Sequence, residues 1–397
     1  MSILICTVFD IDVPSAGLKR LIKMSKAFKL YGINCLITVG SGSFDMQGEA
    51  WRYLEEQGQK YILFDKSLFT SKRYCNAMTI AATASKFYKQ HLLEIITNLS
   101  IAGVIIYSPQ YQLMTPFLKI CKRSNTFIIV DCGENYSLSF KYLLNGVIYQ
   151  QFMFKKFQMR KTDGAIISSP KWLIHTKNAK IPASLIPGFL HPLDSFRKSV
   201  SLKSDKLKIT IMGRFLGREM PSVIIKALKI CKQKKLRFEV NIIGSGKGGW
   251  IESYWLKKLI SQSSSTTNDI SIKGYVSDSE RDNILTRSDV FIMLRPANQE
   301  TQYLYPSRVL EFLFSGNPVI LTDTPALNQF FQEKSGAYFI SSKNNSEELA
   351  QLLINLSDKP LERFESGEKG RAYAIKNFSS EVMGKKLVDL IETINNV

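Results

Sequence analysis

Short apolar runs alternate with amphipathic stretches along this chain. The alternation breaks once and then restarts, and that pattern constrains the fold more than any other feature. Residues 2–9 read as a buried strand. Leu18, Leu21, Ile22, Ser25 and Phe28 then recur at helical spacing, so residues 16–31 read as an amphipathic helix. Gly32 ends it, and residues 34–39 form the next apolar run. A long helix over 75–98, a strand over 102–107, a helix over 111–124 and strands over 126–131, 163–168 and 183–186 continue the series. Repeated βα units of this kind predict a parallel sheet covered by helices on both faces.

The break falls around residues 187–206, where Pro187, Gly188, Pro192 and the polar run KSVSLKSDK replace the periodic pattern. After it come strands over 207–212 and 238–243, a helix over 220–234 between them, and strands over 270–273, 289–294 and 317–321. Helices are expected over 251–262, 278–287, 306–315 and 346–356, with a closing helix over 379–395. A chain of 397 residues exceeds one ordinary core and suits two domains of about 150–200 residues each. The expected division is a first domain over 1–188, a linker over 189–206, a second domain over 207–376, and a terminal helix over 377–397 that packs back on the first. The fold class is therefore α/β: two facing, Rossmann-like, doubly wound parallel-sheet domains with an inter-domain cleft. Ligands of such sheets bind at the carboxyl ends of the strands.

No apolar run approaches the roughly 18–20 residues that span a bilayer, and the first residues carry neither a basic start nor a cleavage site. The cysteines Cys6, Cys35, Cys75, Cys121, Cys132 and Cys231 form no Cys-x-x-Cys pair, and there are 3 histidines. That fits a reducing cytoplasm and argues against a metal centre or a disulfide framework. The formal net charge of +19 calls for a polyanionic neighbour or reflects a lysine-rich composition. No aromatic RNA-binding signature accompanies it, so no nucleic-acid partner is expected. An anionic membrane face is the favoured neighbour. The stretch 140–161 is rich in both lysine and aromatics (Lys141, Tyr149, Phe152, Lys156, Phe157 among them) and reads equally as a membrane-facing segment or a core helix with snorkelling lysines.

Five constellations could carry chemistry. The run from Tyr305 to Ile320 reads as a helix with Pro306 in its first turn, Gly316 at its end and Pro318 opening the next strand. The free N–H groups of Ser307, Arg308 and Val309 would suit a phosphate, and Glu311 on the face of Ser307 would suit ribose hydroxyls. Gly213-Arg214-Phe215-Leu216-Gly217-Arg218 places two guanidinium groups after a strand, where they would bind phosphate. Ile243-Gly244-Ser245-Gly246 lets a backbone approach closely. Gly274-Tyr275-Val276 could border a base, and Gly17 opens the first helix, where an anion could sit. Each of these also has an ordinary reading as a capped core helix, a solvated basic loop or a turn.

Taken in order, these segments resemble glycosyltransferase family 4, the glycosyl transferases group 1, with the GT-B fold. The resemblance runs through Gly213-Arg214, Gly244-Ser245-Gly246, Gly274-Tyr275-Val276, Ser288-Asp289-Val290 and the Pro-Ser-Arg-x-x-Glu helix, and more loosely through Gly17, Arg20 and residues 164–188. It implies retaining transfer of a sugar from a UDP- or GDP-sugar to a glycan or a polyprenyl-diphosphate-linked acceptor, in the making of a surface polysaccharide. It implies no cofactor and no metal. Arg214 and Arg218 would hold the donor diphosphate with Gly17, Gly213 and Gly244 around it. Ser307, Arg308 and Val309 would meet the distal phosphate, Glu311 the ribose, and Tyr275 and Val276 the base. Glu134 or Asp131 could orient the acceptor hydroxyl. The place implied is the cytoplasm, peripheral at the inner face of the plasma membrane.

The chain departs from the family pattern in three places. Tyr303 stands where the family often has a first glutamate, the first glycine-rich loop has one glycine where the family often has two, and Asp131-Cys132-Gly133-Glu134-Asn135-Tyr136 occupies the strand exit where the family often has a histidine. The absence of the first glutamate keeps a second function open, a catalytically silent GT-B-like scaffold of a glycan assembly system.

Overall fold

The computed structural model describes residues 1–8, 11, 15–41, 51–56, 58–65, 77–133, 146–190, 205–213, 219–244, 254, 269–274, 276–303, 305, 307–331, 335–343 and 345–396. The chain divides into two compact units. The first comprises Met1–Phe189, Tyr303–Tyr305 and Ser380–Val397, and the second Leu190–Gln302 and Pro306–Ser379.

The first unit is built on eight strands: β1 (Ser2–Cys6), β2 (Asn34–Ser41), β3 (Trp51–Glu56), β4 (Gln59–Asp65), β5 (Ile101–Tyr107), β6 (Phe127–Cys132), β7 (Gly164–Ile167) and β8 (Ala183–Leu185). Their order is β3-β4-β2-β1-β5-β6-β7-β8. All neighbours pair in parallel except β3 with β4, which pair antiparallel at one edge. The central strands are buried on both faces, and so read as unbroken apolar runs rather than alternating ones. Helix α1 (Ala16–Lys29) starts where Ser15 accepts a hydrogen bond from the Leu18 N–H at 3.0 Å, and it buries Leu18, Leu21, Met24 and Phe28. Helices α2 (Ala77–Asn98) and α3 (Tyr111–Arg123) cover the sheet through Tyr88 and Phe117, whose ring centroids lie 4.6 Å apart. After β6, helix α4 (Val147–Met153) runs into a π-helical turn (Phe154–Gln158) and a 3-10 turn (Met159–Lys161), and helix α5 (Leu173–Ala179) follows β7.

The second unit has six strands, β9 (Leu207–Met212), β10 (Phe238–Ile243), β11 (Ile270–Gly274), β12 (Val290–Met293), β13 (Val319–Asp323) and β14 (Ala337–Ser341). All pair in parallel, in the order β11-β10-β9-β12-β13-β14. Helices α6 (Pro221–Gln233), α7 (Asp278–Arg287), α8 (Gln299–Tyr303), α9 (Arg308–Phe314), α10 (Pro325–Asn328), α11 (Ser346–Asp358) and α12 (Pro360–Phe378) connect or cover them. The strand order reverses between β9 and β12, because the chain runs outward from β9 through β10 to β11 and then returns to the other side of β9. That reversal opens a crevice at the carboxyl ends of β9 and β12.

Helix α13 (Ser380–Asn395) belongs to the first unit. It packs on α1, where the Tyr31 hydroxyl donates to the Glu381 carbonyl at 2.8 Å, and on β8, where the Ser184 hydroxyl donates to the Lys386 carbonyl at 3.2 Å.

The structure departs from the sequence reading mainly at edges. The first strand stops at Cys6, three residues short of the expected end, and α9 begins at Arg308 rather than 306. The hairpin β3-β4 and the long helix α12 were not expected from the periodicity. Most of the expected helix over 251–262 lies outside the described residues. Among the described residues, no helix is long and apolar enough to cross a membrane. The five described cysteines are buried and unpaired, and burial pushes the Cys121 and Cys231 thiols up to about 12, which makes them poor nucleophiles.

Candidate functional site

In the second unit, three adjacent strands end in glycine. Gly213 follows β9, Gly244 follows β10, and Gly274 closes β11, with φ values of +140°, +84° and +60°. The turns are tied to one another: the Gly213 N–H donates to the Ile243 carbonyl at 2.9 Å and the Gly244 N–H to the Gly274 carbonyl at 2.5 Å. A Cβ placed on Gly244 would lie 3.4 Å from the Gly213 nitrogen. At Gly213 the requirement is stricter. Its φ suits glycine alone, and a Cβ there would run into Nη1 of Arg308. The Arg308 guanidinium therefore lies against the bare backbone of the β9 exit.

Arg308 is placed by its helix. Val309, Leu310, Phe312, Leu313 and Phe314 are buried, and Phe312 stacks on Phe291 of β12 with ring centroids 4.4 Å apart and planes 2° apart. Stacked rings of this kind add about 0.5–1.5 kcal/mol beyond their buried area. At the other end of α9, Gly367 of α12 lets the backbone of Gly316 and Asn317 come against it with no room for a side chain. The short helix is thus pinned at both ends.

Glu219, in the first turn of chain described after β9, is 6% exposed. Its Oε1 lies 3.7 Å from Nε of Arg295, which follows β12 and is itself buried, and 3.8 Å from where a Cβ on Gly213 would stand. Arg295 is held in turn through its backbone N–H, which donates to the Thr322 hydroxyl at 2.7 Å. Gly213, Glu219, Arg295 and Arg308 therefore converge at the point where the strand order reverses. Glu311, on the next turn of α9, faces Arg281 of α7. Burial disfavours the Arg281 charge, but Glu311, Asp282 and Asp278 outweigh it and hold its pKa above the ordinary arginine value. Arg281 bonds Asp278 at 3.0 Å and Asp282 at 2.8 Å.

The first unit carries its own charged centre. Nε and Nη2 of Arg20 donate to both oxygens of Asp131 at 3.0 and 3.2 Å, and the guanidinium also donates to the carbonyls of Ile186 and Pro187 at 2.8 and 3.0 Å. Asp131 is fully buried. The sequence reading offers Asp131 or Glu134 for orienting an acceptor hydroxyl. Both oxygens of Asp131 are committed to Arg20, and the fork joins α1, β6 and the chain after β8. Gly17 lies in the first turn of α1, one turn before Arg20.

Tyr303 sits among first-unit residues. Its hydroxyl is 3.4 Å from Nε2 of His175, its ring centroid is 5.6 Å from that of Trp172, and its carbonyl accepts from the Ser168 hydroxyl at 3.5 Å. Burial, and then the charge of Lys155, lower the His175 pKa to about 4. The imidazole is neutral at physiological pH.

Of the residues singled out from sequence, the structure brings Gly213, Gly244 and Arg308 together and sets Glu311 one helical turn on. Val276 precedes Ser277, the N-cap of α7, which accepts from the Glu280 N–H at 3.1 Å. Ser307 is exposed and its hydroxyl does not cap α9, while the Val309 side chain belongs to the core, leaving only its backbone for a ligand. Glu134, Arg214, Arg218 and Tyr275 lie outside the described residues. Glu219, Arg295 and Arg281 were not anticipated. Glu219 was visible only as the residue after a noted motif, and the two arginines belong to no motif.

Residues 194–376 match the model of the family described as glycosyl transferases group 1. That segment, a little under half of the chain, is similar to the glycosyl transferases group 1. Among curated proteins, the chain is 24% identical over 201 residues to the GDP-mannose-dependent monoacylated alpha-(1-6)-phosphatidylinositol monomannoside mannosyltransferase of Corynebacterium glutamicum. That match takes in 50% of the chain and 50% of the relative, so the chain spans about half the length of the curated relative it matches. Among solved structures, a glycosyltransferase from Rickettsia africae superposes with a TM-score of 0.70 at 18% identity, over 99% of this chain and 98% of that one. Anabaena HepE in complex with UDP and glucose superposes with a TM-score of 0.70 at 13% identity, over 99% and 100%. These likenesses establish the GT-B fold: two α/β domains, each on a mainly parallel sheet.

Proposed function

We propose that this chain is a retaining, metal-independent group 1 glycosyltransferase that moves a sugar from a UDP- or GDP-sugar to a glycan or a polyprenyl-diphosphate-linked acceptor in surface polysaccharide synthesis. The observation that carries the reading is the convergence of Arg308 on the bare Gly213 backbone at the strand reversal, with Glu311 on the next turn. A cation pressed against a glycine exit offers charge and N–H groups to a diphosphate, and a carboxylate one turn away suits ribose hydroxyls. Arg214 and Arg218 complete the diphosphate site in this reading. Cationic groups fixed before the reaction would offset the charge that grows on the leaving nucleoside diphosphate. The relatives support both candidate donors, since one is named for GDP-mannose and another was solved with UDP and glucose. In this reading the acceptor lies at the inner face of the plasma membrane, and the net charge of +19, which suits anionic lipid, supports it.

Tyr303 favours a second reading, a silent scaffold, because its side chain is engaged with His175 and Trp172 at the position of the family's first glutamate. Calorimetric titration with UDP and GDP separates the two. Micromolar binding of one nucleotide, abolished by Arg214→Ala and by Glu311→Ala, is expected of the transferase. Absence of binding by either nucleotide overturns it in favour of the scaffold.

A further inference from the structure

Fifteen large apolar side chains of the described residues are exposed, and five of them, Tyr149, Phe152, Phe157, Leu173 and Ile174, fall within one short stretch of the first unit. Tyr149, Phe152, Lys156 and Arg160 recur at three- and four-residue steps along α4 and the turns that continue it, so they form one stripe. Helix α5, which carries the exposed Leu173 and Ile174, packs against the 3-10 turn Met159–Lys161 that continues α4. The opposite side of the stripe is already satisfied. Phe154 and Met159 are buried in the core of the unit, the side-chain Oε1 of Gln150 accepts from the Gln112 backbone N–H at 2.9 Å, and the Gln158 side-chain amide donates to the Thr115 hydroxyl at 3.3 Å. The exposed residues are therefore not a core face awaiting its partner within this unit.

The charge of the surface is one-sided. Between residues 146 and 180 the basic residues include Lys156, Arg160, Lys161, Lys171 and Lys177, all exposed, and the single acid is Asp163, whose carboxylate accepts from the Ile128 N–H at 2.6 Å. Lys156 stands over two of the exposed rings, 5.6 Å from the Phe152 centroid and 5.2 Å from that of Phe157. Its ammonium thus rides at the level of the aromatic tips.

We propose that this face of α4, its continuing turns and α5 docks in the headgroup layer of an anionic bilayer, with Tyr149, Phe152, Phe157, Leu173 and Ile174 reaching the acyl boundary and the flanking lysines meeting the lipid phosphates. The inference deepens the transferase reading and rests on it for the claim that the acceptor is at a membrane. Aromatic and branched aliphatic tips ringed by cations, on a segment too short to span, fit an interface rather than a hydrocarbon core. Leu173 and Ile174 offer nothing to a nucleic acid, which would use stacking rings and phosphate contacts alone. They gain only by leaving water.

The test is co-sedimentation of the full chain with vesicles of phosphatidylcholine alone and of phosphatidylcholine with phosphatidylglycerol, at low and high salt. Binding to the anionic vesicles alone, weakened by salt, is expected. Phe152→Ser/Ile174→Ser and Lys156→Gln/Lys171→Gln should each lower partitioning by at least roughly tenfold, by way of lost insertion and lost charge respectively. Nucleotide titration of the same variants should match that of the wild-type chain, which shows that they are folded. Equal partitioning of variants and wild type, equal binding to neutral vesicles, or displacement from vesicles by single-stranded RNA overturns the docking face. A wild-type chain that binds nucleotide but neither kind of vesicle sinks the face and leaves the transferase standing. Vesicle binding without nucleotide binding does the reverse.

Discussion

Oε1 of Glu219 lies 3.7 Å from Nε of Arg295, and the two side chains are 1% and 9% exposed. They come from segments that follow β9 and β12, the two strands between which the sheet order reverses. A charge pair so little exposed is not there for raw stability, because desolvation offsets most of its Coulomb gain. It fixes the crevice walls in register. Truncating one member leaves the other charged and buried, so Glu219→Ala should destabilise the second unit by about 3–5 kcal/mol. Glu219→Leu/Arg295→Met should recover most of that loss while weakening nucleotide binding. Urea denaturation of the two variants, read beside calorimetry, checks both halves. A double variant as unstable as the single one would mean that the pair is not the source.

Gly213→Ala tests the seat of Arg308. The new methyl meets the guanidinium, and the φ of +140° is itself strained for alanine by about 1–3 kcal/mol. Nucleotide affinity should fall at least tenfold, with a modest drop in the melting temperature. Unchanged affinity would remove Arg308 from the donor site.

Arg20→Ala should cost the first unit about 3–5 kcal/mol, since it strands the buried Asp131 carboxylate and frees two carbonyls. Asp131→Asn should cost less, because the amide keeps one acceptor for Arg20. UDP or GDP titration of Asp131→Asn should resemble that of the wild-type chain, as expected of a scaffold carboxylate.

Acid should weaken the first unit through His175. Its folded pKa is lowered to about 4 from an ordinary value of 6.5, so between these values the unfolded chain binds the extra proton. The stabilisation from the neutral imidazole is complete above about pH 6.5 and is lost as the pH falls toward 4. The half-buried site faces Lys155, and water screens part of the effect. His175→Gln should flatten the urea midpoint between pH 6.5 and 4 relative to the wild-type chain. Parallel curves for the two proteins would show that other groups carry the acid dependence.

The central strands were legible because they are buried on both faces, which writes Ile-Leu-Ile-Cys and Val-Ile-Ile-Tyr into the sequence as unbroken apolar runs. The hairpin β3-β4 was not. Trp51–Glu56 is an edge strand with most of its side chains half-buried or exposed, so it carries no clear period. At the site, the glycine exits and α9 were readable because a turn or a helix cap constrains neighbours in sequence. Glu219 with Arg295 and Glu311 with Arg281 were hidden for the opposite reason. Each pair is joined only by the order of strands in the sheet, and local pattern does not record that order. The commitment of Asp131 to Arg20 is likewise a contact across more than a hundred residues.

The placement of α13 in the first unit bears on how the protein is made. The polypeptide leaves the first unit at Phe189 and returns for good only at Ser380, after nearly all of the second unit has been synthesised. Leu387, Leu390 and Ile391, which are buried in the first unit, emerge from the ribosome only after the second unit. The first half to be translated is thus the last to be finished. It must wait with its α1 face uncovered while the other unit folds. A premature stop near residue 380 should therefore damage the end of the molecule that was made first.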